Sequence, residues 1–187
     1  MQPTFANLER YKNKRLSVSL GFPPKITGGL VESHDRIVLA DDGGNLALRL
    51  GDGADPGAWA YYVTKGVAVT SATGGETWLA SGPYTGCEFI LGKKKGGGIY
   101  AAHFARESGS TAEKDWNSRA DSSSYEQWAR FKVSPTKDVN HCIIIFADCA
   151  GGGPQNVSIT RVEVAITNFG GSFDKGPMQI IDVIKLA

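Results

Sequence analysis

Apolar residues recur at every second position through most of this chain, the period of a half-buried β-strand. Leu16-Ser17-Val18-Ser19-Leu20 shows it cleanly. Ile37 to Ala40 and Leu46 to Leu50 follow, split by Asp41-Asp42-Gly43-Gly44-Asn45, a strong turn signal. Trp59 to Thr64, Val67 to Thr70 and Thr77 to Ala80 continue the pattern, with Gly74-Gly75 turning the last pair. Gly86 to Gly92 and Gly98 to Ala105 read as a hairpin across Lys93-Lys94-Lys95-Gly96-Gly97. Cys142 to Phe146, Val157 to Ile166 and Met178 to Leu186 close the chain. These make about ten short strands with glycine-rich connections. The fold class expected is therefore α+β, predominantly β, with two packed sheets in a β-sandwich-like arrangement and few short helices. Thr111 to Phe131 is the best helical stretch, and its run Ser122-Ser123-Ser124 predicts a break into two short helices or a long surface excursion forming one wall of a cleft. No repeat or linker marks a second domain, so residues 1–187 read as one.

Both hairpin arms are apolar on both faces, with Phe89, Leu91 and Ile99 on one side and Ile90, Tyr100 and Phe104 on the other. Such strands belong in the middle of a layered structure. A turn centred on Lys95 sets Cys87 opposite His103, Phe89 opposite Ala101 and Leu91 opposite Ile99. Directly opposed side chains share a face with Cβ atoms about 4.5–5.5 Å apart, close enough for an imidazole to take or hold a thiol proton. A slip of one residue would place them on opposite faces. A cysteine in an apolar strand is also commonly a small buried hydrophobe, so both readings stand at this point. Ser81 and Thr85 bring hydroxyls close to Cys87 in sequence, suited to holding the imidazole or a substrate amide, or else to ordinary turn chemistry around Gly82-Pro83. Glycine at 86 leaves the Cys87 amide open as an oxyanion donor.

Charge narrows the classes further. Twenty Lys and Arg against 19 Asp and Glu leave a net charge of +1, which supports neither nucleic-acid nor membrane binding. The cluster Lys93-Lys94-Lys95 reads as a solvated hairpin tip, or as a patch that steers an acidic partner. No apolar run is long enough for a membrane helix. The start, Met1-Gln2-Pro3-Thr4-Phe5, lacks a charged-then-apolar leader, which fits a cytoplasmic protein or one exported into a host cell by a specialised route. Cys142 and Cys149, an odd number of positions apart on one predicted strand, face opposite ways roughly 23 Å apart and cannot bond. His34, His103 and His141 are scattered with no metal-ligand spacing. Gly-Asp-Gly-Ala-Asp at 51–55 reads as a turn more readily than as a calcium loop. His141 and Cys142 are sequence neighbours, so they point apart in a strand and make a poor dyad. Trp59, Tyr61 and Tyr62 read as core, with a sugar or interface platform as the alternative.

Thr85-Gly86-Cys87 and Tyr100-Ala101-Ala102-His103 resemble the motif of the glutamine-deamidase superfamily, which includes the cytotoxic necrotizing factor catalytic domains, Burkholderia lethal factor and the chemotaxis-receptor deamidases. The lethal-factor and chemotaxis branches carry a threonine six residues before the cysteine, where this chain has Ser81. The resemblance spans residues 77–106. It implies hydrolysis of a glutamine side-chain amide in a partner protein, a host protein where the enzyme is a toxin or effector. Cys87 would then be the nucleophile and His103 the base, with hydroxyls at Ser81 and Thr85 and no cofactor, in a monomer. A non-catalytic β-sandwich module for sugar or protein, and another cysteine hydrolase or transglutaminase, are the competing expectations.

Overall fold

The alternating segments do not stop at two open sheets, because the first and last of them find each other. The computed structural model describes residues 1–20, 26–135, 140–166 and 178–187. Eight strands form a closed barrel: β1 (Arg15–Ser19), β3 (Arg36–Asp42), β4 (Asn45–Leu50), β5 (Gly57–Ala60), β7 (Trp78–Tyr84), β11 (His141–Asp148), β12 (Ser158–Ile166) and β13 (Met178–Lys185). Closure runs through β1, which pairs in parallel with β4 and antiparallel with β13. This corrects the expected α+β, β-sandwich-like pair of sheets. Local alternation is the same for a strand in an open sheet and in a barrel, and the deciding pairings are remote in sequence. Closure also removes the unpaired edges that an open sheet would expose.

Inside the barrel, Leu16, Leu39, Leu48, Trp59, Trp78, Ile144, Phe146 and Val164 form the principal core. The short helix α1 (Phe5–Glu9), capped by Thr4 accepting from the Asn7 amide, adds Leu8 to it. The hairpin of β3 and β4 turns at Gly43 and Gly44, both at positive φ, with Asp41 accepting from the Gly44 amide. β5 is shorter than the predicted Trp59 to Thr64 strand, and Trp59 and Tyr61 are buried in the core.

The second sheet has the order β10-β8-β9-β6-β2, from β2 (Leu30–Ser33), β6 (Val67–Ala72), β8 (Glu88–Lys94), β9 (Ile99–Phe104) and β10 (Tyr125–Lys132). One face, with Phe89, Leu91, Ile99 and Ala101, packs on Leu79, Ile143, Ile145 and Ile159 from the outside of the barrel. Its other face, with Ile90, Tyr100, Ala102 and Phe104, is covered by Ala112 and Trp116 of the helix α2 (Ala112–Asn117). The doubly apolar hairpin is thus a middle layer. Cys142 falls in the barrel core and Cys149 in the layer outside it.

Thr111 to Phe131 is not two helices. Its first third forms α2, a single 3-10 turn follows at Ser122–Ser124, and the remainder is β10. Trp128 and Phe131 gain more by packing beside β8 than a solvated helix would give them. A bulge between Gln127 and Ala129 shifts the register of that pairing.

Gly92 is what lets β10 approach. A Cβ there would lie 1.9 Å from the Glu126 carbonyl oxygen and 2.8 Å from the Tyr100 ring. Gly92→Ala should therefore push β10 off β8 and cost about 1–3 kcal/mol. Chemical denaturation reads the loss, and hydrogen exchange should rise first at Tyr125 to Gln127. An unchanged midpoint would count against this close approach.

Candidate active site around Cys87 and His103

The β8–β9 hairpin turns on Lys94 to Gly97, with Gly97 donating to the Lys94 carbonyl at 2.9 Å. Gly96 holds φ +71°, the left-handed residue that a type II turn requires at its third position. A lysine at the centre of the turn would be strained there, so the turn sits one residue later than a centre at Lys95. His103 accordingly pairs with Phe89, and Leu91 with Ala101. The expected direct opposition of Cys87 and His103 is corrected: the register has moved by two. An even shift preserves the face. Cys87 becomes the diagonal neighbour of His103, a separation of about 7–8 Å between backbones, and no hydrogen bond joins the two side chains.

Ser81 reaches His103 from the barrel. On β7, Trp78 and Ala80 enter the barrel core while Leu79 packs outside it, and Ser81 shares the Leu79 side. Its Oγ lies 2.8 Å from the Ala60 carbonyl, to which it donates, and 3.0 Å from His103 Nδ1. A hydroxyl has one proton, and the carbonyl takes it. The oxygen therefore accepts from Nδ1–H, which leaves the lone pair on Nε2. His103 Nε2 is buried and has no hydrogen-bond partner among the described residues. Tyr84 stacks on the imidazole at 4.0 Å, and Tyr62 leans on it at 5.4 Å. Full burial pushes the His103 pKa down to about 3, so the ring is neutral at physiological pH.

Cys87 is a buried member of this layer at its edge. It lines a cavity of about 430 Å³ with Thr85 and Gly86 on its own loop and Tyr62 and Pro83 beside them. Arg106, Glu107 and Lys132 supply the charged part of the wall. Burial raises the Cys87 thiol pKa, the Arg106 amide opposes this, and Glu107 reinforces it. Thiol and imidazole are therefore both neutral at physiological pH, with no standing thiolate–imidazolium pair. Thr85 is exposed on the rim and meets neither side chain of the pair. The Cys87 amide makes no backbone hydrogen bond among the described residues, while its carbonyl accepts from Val133 at 2.8 Å.

The structure thus sets Ser81 of the barrel against His103 of the second sheet, with Cys87 on the same sheet face as His103, and leaves Thr85 at the cavity mouth. Arg106 and Glu107 were not singled out by sequence as site residues, and Tyr62, read there as core or as part of a sugar or interface platform, lines the cavity. Alternation held one signal, since Tyr61 in the barrel core obliges Tyr62 to face away from it. Arg106 is fixed by Glu88 at 2.5 Å and Glu113 at 2.8 Å, and Arg130 binds the same two carboxylates. This ring ties α2 and β10 to the start of β8, next to Cys87. The lysine tip is at the far end of β8, on the order of 20 Å from Cys87, where Lys94 pairs with Asp121.

No protein-family model matches this chain, and no curated protein matches it. What the site can do is judged from its own geometry. A largely buried sulfur at the edge of a cavity, a neutral imidazole with a free Nε2, and a hydroxyl that fixes its tautomer are parts that nucleophilic acyl transfer uses.

Proposed function

We propose that this protein is a cysteine-dependent glutamine amidohydrolase that acts on a partner protein. The observation that supports the reading is the Ser81–His103 hydrogen bond, which fixes the proton on Nδ1 and leaves the Nε2 lone pair free in a residue that shares its sheet face with Cys87. Cys87 Sγ attacks the side-chain amide carbon of the glutamine. The S–C bond forms as the thiol proton passes to His103 Nε2, and the open Cys87 amide meets the oxyanion. His103 returns that proton to the nitrogen as the C–N bond breaks, releasing ammonia and leaving a thioester. Water then adds to the thioester and gives a proton to His103. The C–S bond breaks, Cys87 regains its proton, and the glutamine has become glutamate. Cys87 and His103 tighten toward each other when substrate is bound, as catalytic pairs commonly do.

The test is peptide mass spectrometry of a proteome incubated with the protein. Glutamine-to-glutamate conversions should occur with the native chain and vanish with Cys87→Ser. His103→Ala should slow them by about 10²–10⁴-fold. A second reading, a binding module, draws on the same neutral and buried pair, which a purely structural contact would also show. It gains if no glutamine is converted and Cys87 resists alkylation at every pH.

A further inference from the structure

Among the described residues, Glu107 is the one carboxylate on the cavity beside Cys87. Its Oε1 accepts from the Tyr62 hydroxyl at 2.9 Å and from the Lys65 amide. Oε2 accepts from no other side chain among the described residues. Hydrogen bonds from its own amide, Lys65 and Tyr62 outweigh burial and hold the carboxyl below its ordinary pKa, so the group is ionised at neutral pH. Its field reaches the sulfur, as the Cys87 thiol registers. Two cations share the wall, Arg106 and Lys132. Arg106 is neutralised by Glu88 and Glu113.

We propose that Glu107 selects the uncharged carboxamide over the carboxylate, accepting the substrate amide N–H on Oε2 and repelling the product. This rests on the deamidase reading and adds to it a residue that decides direction. A primary amide has two N–H donors, and a carboxylate has none and carries charge. A fixed anion at the mouth therefore holds the substrate by its N–H groups and repels the glutamate formed from it, against the opposing charge of Lys132 on the same wall, a repulsive element of specificity.

Iodoacetamide and iodoacetate test this directly, because they differ only in a carboxamide and a carboxylate. Rates of Cys87 alkylation are measured by peptide mapping, and the ratio of the two is taken. A changed thiolate fraction affects both reagents alike and cancels. Cys142 and Cys149 are buried, with thiols pushed up to about 12, and the mapping separates them. Glu107→Gln keeps an oxygen for Tyr62 and Lys65 and loses the charge. It should lower the iodoacetamide-to-iodoacetate ratio about fivefold, the scale of one charge acting across about 4 Å in water. Tyr62→Phe removes the hydroxyl but keeps the anion, and should retain the native ratio. An unchanged ratio in Glu107→Gln overturns the assignment, as does an equal fall in Tyr62→Phe. A flat ratio alongside glutamine conversion by the native chain removes Glu107 alone. A Cys87 inert to both reagents removes the deamidase reading and this assignment with it.

Discussion

Between pH 6.5 and pH 4.5 the folded state should lose up to about 3 kcal/mol of stability through His103 alone. Burial between the barrel and the second sheet pushes this imidazole pKa from 6.5 down to about 3. In the unfolded chain the same ring takes a proton as the pH falls through 6.5. Within the window the unfolded state thus binds more protons, and stability falls with falling pH until the folded ring also titrates, near 3. At about 1.4 kcal/mol per pH unit, two units give the figure stated. Carboxylates add their own acid sensitivity lower down. Glu113, held to about 2 by Arg130 and Arg106, and Glu88 and Glu107, also held below their ordinary value, lose their stabilising ionisation only below pH 4.5. Urea denaturation at pH 6.5, 5.5 and 4.5 measures the slope, and His103→Gln should flatten it across that window. Parallel pH dependence in the two proteins would mean that the imidazole is hydrated or ion-paired in the folded state. The chemistry shares the same cause, since a ring that stays neutral keeps Nε2 available as a base throughout.

Local patterning made the strands legible and closure illegible. Leu16 to Leu20, Val157 to Ile166 and Met178 to Leu186 each read as a strand, and each lies on one. Nothing in Leu16-Ser17-Val18 says that it joins β4 on one side and β13 on the other. Those pairings are decided by how much apolar surface the closed ring buries. Tyr125 to Lys132 misled for a related reason, because a strand with a bulge has no clean period of two. At the site, alternation put Cys87 and His103 on one face, and this survives because the hairpin slipped by two and not by one. The slip itself was readable in principle, since Gly96 and not Lys95 can take the left-handed turn position. Ser81 was visible as a hydroxyl six residues before Cys87. Its meeting with His103 was not, because it spans two layers that no local pattern brings together. Glu107 was invisible for the same reason, since its partners Tyr62 and Lys65 lie more than forty positions away.

Ser81→Ala should slow Cys87-dependent glutamine conversion by about 10²–10⁴-fold while the fold persists. The native hydroxyl does two things at once. Donating to Ala60 commits its proton, and that commitment obliges it to accept from Nδ1–H. With alanine in its place the imidazole can turn or carry its proton on Nε2, and then Nε2 has no lone pair to take a proton. The buried Nδ1–H and the Ala60 carbonyl are also left unpaired, which costs about 1–3 kcal/mol for each group not rescued by rearrangement. Nitrogen-15 NMR of the imidazole distinguishes the tautomers: the native ring should show protonated Nδ1 and bare Nε2, and the variant a mixture or the reverse. Cys87 alkylation would separate positioning from packing, because a purely structural serine would lower stability and leave the tautomer and the sulfur's pH profile alone. A variant with the native tautomer and native conversion rate would place Ser81 in the packing of the two layers and outside the mechanism. The stacked Tyr84 would then be the group left to orient His103.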